Sequence, residues 1–173
     1  HGKYLNFLDD DDLFYADHVE VLVANLLKSG KPAAYATSFE TPIEVESKDP
    51  YIYKVYNYLG VHKQPFSRIV LCHHNYIPIQ CIMFEKELFE NYGGLDETVD
   101  ALEDWDMWVR YSLYADFEFV LKTTSIYRVP AIRQINQKRQ KELDDALLFM
   151  REKHKGYMQR ISVYDVARMY ENL

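Results

Sequence analysis

The chain has 173 residues, 48% hydrophobic and 27% charged, a balance that suits one soluble globular core. A net charge of −7, from 20 basic and 27 acidic residues, leaves no basic footprint for a polyphosphate backbone and argues against a nucleic-acid partner. The two cysteines, Cys72 and Cys81, lack CxxC spacing and have no third or fourth thiol to build a metal centre, so a reduced, cytoplasmic setting is expected.

The chain opens at His1-Gly2 without an initiating Met, and reads as a piece whose upstream part is absent. No apolar run approaches the roughly 18 residues of a spanning helix. Residues 5–8 read as a strand that empties into four aspartates, Asp9 to Asp12. Val19, Leu22, Val23, Leu26 and Leu27 recur at helical spacing before Gly30 and Pro32, which predicts a helix over 17–29. Residues 33–39 read as a short strand, completing a strand, acidic loop, helix, strand order typical of α/β proteins. Pro42, Pro50 and Pro65 interrupt the next stretch, so a long irregular loop is expected to about residue 74, with Tyr51, Tyr53, Tyr56 and Tyr58 crowded into it. The run YIPIQCIMF predicts a strand over 76–84, and a short helix over 86–91 should close at Gly93-Gly94. Trp105, Trp108, Val109, Ser112 and Leu113 share one stripe of a helix over 103–115, with Asp106 and Arg110 as an i,i+4 pair on another. Strands are expected over 117–121 and 125–129. Beyond Pro130, one helix is marked by Leu143, Ala146, Leu147 and Met150, and a second by Val163, Val166, Ala167 and Tyr170, with Ser162 as its cap.

Two acidic constellations carry the chemistry. Four like charges at a strand's carboxyl end repel one another, and a divalent cation such as Mg²⁺ or Mn²⁺ would stabilise them, since one or two carboxylates plus phosphate oxygens is a protein's usual share of such a site. A solvated acidic turn capping the next helix is the competing reading. Glu103-Asp104 begin the tryptophan helix, whose N-terminus should hold a carboxylate ionised and ready to accept a proton. Ordinary helix-start composition, with Asp100 as cap and Glu103 three residues later, competes here.

The segment FLDDDDLFYADHVEVLV resembles the surroundings of the DXD motif in family 2 glycosyltransferases, and MFEKELFENYGGLDETVDALEDWDMWVRYSLYADFEFV is similar to that family's acceptor-side segment. Together they cover residues 2–129, about three quarters of the chain. The resemblance implies a GT-A-like mixed α/β sheet flanked by helices, with residues 1–130 a partial transferase domain lacking the N-terminal nucleotide-binding half and 131–173 a helical extension. It also implies inverting, Mn²⁺- or Mg²⁺-dependent transfer from a nucleotide-diphosphate sugar to a glycan or lipid-linked acceptor. Asp9 and Asp11 then match the ends of the DXD, near the donor's ribose and on the metal respectively, with Asp12 as their neighbour. Asp104 matches the catalytic base, and Glu103 would position the acceptor or the base. Members hold the donor's base in the missing half, so this stretch alone is expected to be inactive. The QxxRW pattern of processive relatives is absent from the sequence.

Trp105, beside Asp104, is the better acceptor-pocket candidate of the two tryptophans, though both suit a core. Tyr53 and its neighbours could stack on a sugar ring or fill a local core. His73 and His74, read as adjacent strand positions, should face opposite sides, so at most one, taken as His74, reaches a site. Arg128 suits a structural ion pair or the diphosphate. The rivals are a Mg²⁺-dependent nucleotidyltransferase and a non-catalytic cation- or carbohydrate-binding module. Peripheral association with the inner face of a membrane is compatible with lipid-linked acceptors.

Overall fold

The computed structural model describes residues 2–57, 60–99 and 101–158 with the single positions 162 and 167. Tyr58, Asp100 and most of the second predicted terminal helix, including Val163, Val166 and Tyr170, lie outside the described residues. In chain order the elements are β1 (Tyr4–Asn6), β2 (Leu13–Phe14), α1 (His18–Ser29), β3 (Ala33–Lys48), β4 (Tyr51–Val55), β5 (Gly60–His62), α2 (Arg68–His73), β6 (Ile82–Glu85), α3 (Lys86–Tyr92), α4 (Glu103–Ser112), β7 (Glu118–Pro130) and α5 (Arg133–Met158). The expected α/β architecture is present as one open mixed sheet of order β1-β6-β3-β7-β2, with β4 and β5 added along β3. Among the described residues β3 and β7 run parallel and the other pairs are antiparallel.

Helices cover both faces. Helix α1 buries Leu22 and Leu26 against Ala34, Ala36, Met83 and Val120. It stops where Gly30 takes a left-handed conformation (φ 67°) and its N–H reaches the Leu26 carbonyl, closing an end that a side chain with a Cβ would strain. The larger core, on the other face, gathers Tyr35, Leu71, Ile82, Phe84, Trp108, Tyr111, Phe117 and Met150 from the sheet, α2, α4 and α5. Helix α5 therefore shares the core of the sheet. Among the described residues no helix is long and apolar enough to cross a membrane.

Three local expectations are corrected. The stretch after residue 40 is not irregular: β3 continues to Lys48 and forms ladders with β4 and β5, and Thr41 and Ile43 are buried between half-buried Pro42 and Glu44. The prolines hid this period of two, yet Pro42 still offers its carbonyl to the Tyr56 N–H. The apolar run before residue 82 is not all strand, because the Asn75 side chain accepts the Ile77 N–H in a local turn and a single 3-10 turn (Ile79–Cys81) follows Pro78. The two strands predicted after residue 116 are one. Polar Lys122, Thr123 and Thr124 read as a break, but they form bulges that shift the register from Ala36↔Val120 to Thr37↔Thr123 and Ser38↔Ser125. Beyond Pro130 the chain is helical as expected, and α5 begins ten residues before the first of its apolar markers, Leu143, its first turns being almost wholly polar.

One buried charge cluster ties α5 to α4. Asp106 is fully buried, as the tryptophan stripe alone would not suggest, and its carboxylate receives Arg110 at 2.8 Å, Lys153 at 3.1 Å and His154 at 3.3 Å. Burial drives the Asp106 pKa up, but the hydrogen bonds from His154, Arg110 and Lys153 outweigh it and hold the group at about 2. Lys153 also pairs with Asp96 at 2.6 Å, so the Gly93-Gly94 loop is bound into the same cluster.

Candidate functional site

Strand β1 ends at Asn6, whose side chain donates to the Ile82 carbonyl at 2.7 Å, and the chain then turns through the aspartates, with the Asp12 N–H on the Asp9 carbonyl. Strand β2 separates this turn from α1. The aspartates therefore do not cap that helix, and the residue at its N-cap, Asp17, pairs with Lys122 instead. The four differ in surroundings. Asp9 and Asp10 are exposed, Asp11 is half-buried, and Asp12 is buried at 4% exposure. Asp12 continues where the β2 ladder stops: one carboxylate oxygen accepts the Arg128 backbone N–H at 2.8 Å, while the other is buried with no partner among the described residues. Burial, against that hydrogen bond, pushes the Asp12 carboxyl up to about 7.

Helix α4 starts abruptly. Its N-cap is Leu102 in the left-handed region (φ 63°), a conformation costly for a residue with a Cβ, and no side chain caps the helix. Asp100 of the competing capping reading lies outside the described residues, and the bend carries Ala101, Leu102, Glu103 and Asp104 in succession along the wall of a cavity of about 370 Å³. Asp9 lines the same cavity, as do Asn75, His62, Tyr127, Arg139 and Leu143. Asp9 of the acidic turn thus meets Glu103 and Asp104, whereas Asp11 lines a separate cavity beside Ile43, Tyr51 and Ile132. Although Asp9 reaches solvent, its carboxyl is raised from its ordinary value, by partial desolvation first and then by the charges of Asp11, Glu103 and Asp10.

Asp104 is held at both oxygens, by the Asn75 side-chain amide at 3.1 Å and the Trp105 backbone N–H at 2.7 Å. These bonds favour its anion, but burial and the neighbouring Glu103 charge outweigh them and push its pKa up to about 7. The expectation that the helix N-terminus would keep it low is corrected by that burial.

Other candidates lie elsewhere. Trp105 is fully buried, its indole N–H on the Leu71 carbonyl and its ring edge-on to His154 at 4.8 Å, so it belongs to the core and offers no face to a ligand. Tyr53 lies on β4 under the Arg128 guanidinium, 4.1 Å from its ring centre, and is not part of the cavity lining. That contact occupies Arg128, which has no ion pair among the described residues. His73 and His74 end α2 instead of alternating on a strand; both are exposed, with their Nδ1 atoms 3.5 Å apart, and neither lines the cavity. Sequence reasoning missed Asn75, Tyr127 and Arg139. Asn75 carried a weak signal in the Asn-Tyr-Ile-Pro turn, whereas Arg139 sits in a polar stretch without pattern.

A divalent cation suits Asp9 and Asp11 chemically. Among the described residues no three His, Cys, Asp or Glu side chains converge into a ligand cage. Two carboxylates on one turn would need substrate phosphate and water to complete a cation's shell.

No family model matches the chain. It is similar to an uncharacterized glycosyltransferase of Rickettsia prowazekii (strain Madrid E), 27% identical over 128 residues, which covers 70% of this chain and 39% of that protein. An uncharacterized glycosyltransferase of Rickettsia typhi (strain ATCC VR-144 / Wilmington) matches with the same identity and coverage. The chain thus spans well under half the length of these relatives.

Proposed function

We propose that this chain forms the metal- and acceptor-side part of an inverting glycosyltransferase that moves a sugar from a nucleotide-diphosphate donor to a glycan or lipid-linked hydroxyl. The observation that carries the reading is that Asp9, from the acidic turn, and Glu103-Asp104, from the start of α4, line one cavity. The names of the two rickettsial relatives support the same class.

In this mechanism Asp104 takes the proton from the acceptor hydroxyl as its oxygen attacks the anomeric carbon and the bond to the diphosphate breaks. Attack opposite the leaving group inverts that centre. A carboxylate with a pKa of about 7 is well matched to general-base work near neutral pH, and Asn75 and the Trp105 N–H fix its plane. Glu103 contributes negative charge beside the base and lines the acceptor's path. Asp11 and Asp9 would hold Mn²⁺ or Mg²⁺, which stabilises charge on the departing diphosphate. The setting that fits is the cytoplasm or the inner face of its membrane, where nucleotide sugars and lipid-linked acceptors meet.

The test uses the full-length natural protein with Mn²⁺ and a panel of nucleotide sugars, scored by diphosphate release. Asp104→Asn should lower turnover by about 100-fold or more while calorimetry shows donor binding unchanged. Near-normal turnover would remove the base assignment and favour nucleotidyl transfer.

A further inference from the structure

We infer that Arg139 is an acceptor-binding residue that receives an anionic group, so that the substrate placed beside Asp104 is a phosphate- or carboxylate-bearing saccharide rather than a neutral one. This rests on the reading of Asp104 as the base. Three carboxylates, Asp9, Glu103 and Asp104, line the cavity, and a guanidinium shares it with them. A cation in such company is expected to pair with an acid. Arg139 instead donates to the Tyr127 hydroxyl, with the Tyr127 ring centre 5.7 Å away, and no carboxylate among the described residues lies within ion-pair distance of it. Arg139, Tyr127 and Asp104 line the same cavity, and the cation there is not spent on the base.

An acidic cavity repels an anionic ligand unless a fixed cation receives it, and a neutral saccharide would require no such cation. One bond to a phenol leaves most of the five guanidinium N–H donors for a bidentate phosphate or carboxylate. In the proposed mechanism a metal held by Asp9 and Asp11 would compensate the donor's diphosphate, which leaves Arg139 to the acceptor. The helix carrying Arg139 is anchored, because Met150 and His154 of α5 are fully buried and Lys153 and His154 bind Asp106. A volume of about 370 Å³ is at the small end for ligand pockets and suits a single sugar residue with its charged substituent.

Ligand-observed NMR titrations on the full-length natural protein, free of metal and donor, test this with glucose 6-phosphate, glucuronate and methyl glucoside as probes. At least one anionic probe should bind about tenfold tighter than methyl glucoside, and which one identifies the group as phosphate or carboxylate. Arg139→Gln should erase that preference and leave the neutral probe unchanged, and Arg139→Lys should keep part of it for phosphate. Tyr127→Phe keeps the cation but frees it, and should weaken anionic binding several-fold even if Arg139→Gln fails to fold. Wild-type protein that binds no probe, or shows no anionic preference, overturns the inference. So does Arg139→Gln protein that weakens Mn²⁺-pyrophosphate binding as much as sugar binding, since Arg139 would then serve the leaving group. Asp104→Asn should retain anionic binding, so that loss of the base assignment appears in turnover alone and loss of the present inference in binding alone.

Discussion

Replacing Asp104 by Asn should stabilise the fold at alkaline pH while destroying the proposed activity. The carboxyl moves from 3.8 in the unfolded chain to about 7 in the folded one. Below about pH 4 both states hold the proton and the group is neutral to stability; between there and about 7 the folded state retains a proton that the unfolded state has released, so stability falls as pH rises. A rise of that size corresponds to roughly 4 kcal/mol above pH 7. Two effects reduce this for the variant. The residue keeps partial solvent access, and the amide introduced at position 104 would face the Asn75 amide, whose own oxygen is already used by the Ile77 N–H, at a cost of about 1–2 kcal/mol. The net expectation is that Asp104→Asn is no more stable than the parent near pH 4 and more stable by about 2 kcal/mol near pH 8. Urea denaturation of both proteins in metal-free buffer across that range measures it, and groups common to both cancel. A variant equally or less stable near pH 8 would refute the claim that folding strains this carboxylate.

Asp106→Ala should cost about 3–5 kcal/mol near neutral pH, read by chemical denaturation, because Arg110, Lys153 and His154 lose a buried acceptor. With its folded pKa held near 2, the Asp106 contribution is complete above about pH 4 and disappears as pH falls through about 2, so the gap between parent and variant should narrow in acid. Gly30→Ala should cost about 1 kcal/mol by thermal melting, all of it backbone strain at φ 67°, since a Cβ there would meet nothing within 4 Å. Asp11→Ala in the full-length protein should weaken Mn²⁺-dependent donor binding, and undiminished calorimetric affinity would count against its place on the metal.

Legibility in the sequence followed the range of the forces involved. Helix α1 was legible because its periodicity and its Gly30 stop are local, and α3 closed at Gly93 for the same reason. Strand β7 was not, since ladders with β3 and β2 and the Tyr15 N–H on the Thr124 carbonyl keep it extended, and no local propensity announces partners more than 80 residues away. The acidic residues were visible as types, and their roles as metal site and base were expectations from resemblance. Their surroundings were hidden. The Asp104 shift comes from burial that the folded chain alone creates, and the Asp106 cluster depends on α5, whose Lys153 and His154 carry no signal of what they face. The Leu102 bend was equally invisible, because a leucine gives no warning of a left-handed backbone.

The final run of β7 imposes a parity on the molecule. Tyr127 meets the cavity and Arg139, while its neighbour Arg128 covers Tyr53 and fixes Asp12 through its backbone. Removing a single residue between Ser125 and Tyr127 would exchange these two side chains across the sheet, placing a cation where the phenol stood and turning both faces wrong at once. The bulges at Leu121 to Thr124 lie upstream of that run and already absorb surplus residues. Changes in chain length should therefore be tolerated there and nowhere from Ser125 to Val129, which makes the bulged segment the natural splice point for grafting this region onto another sheet.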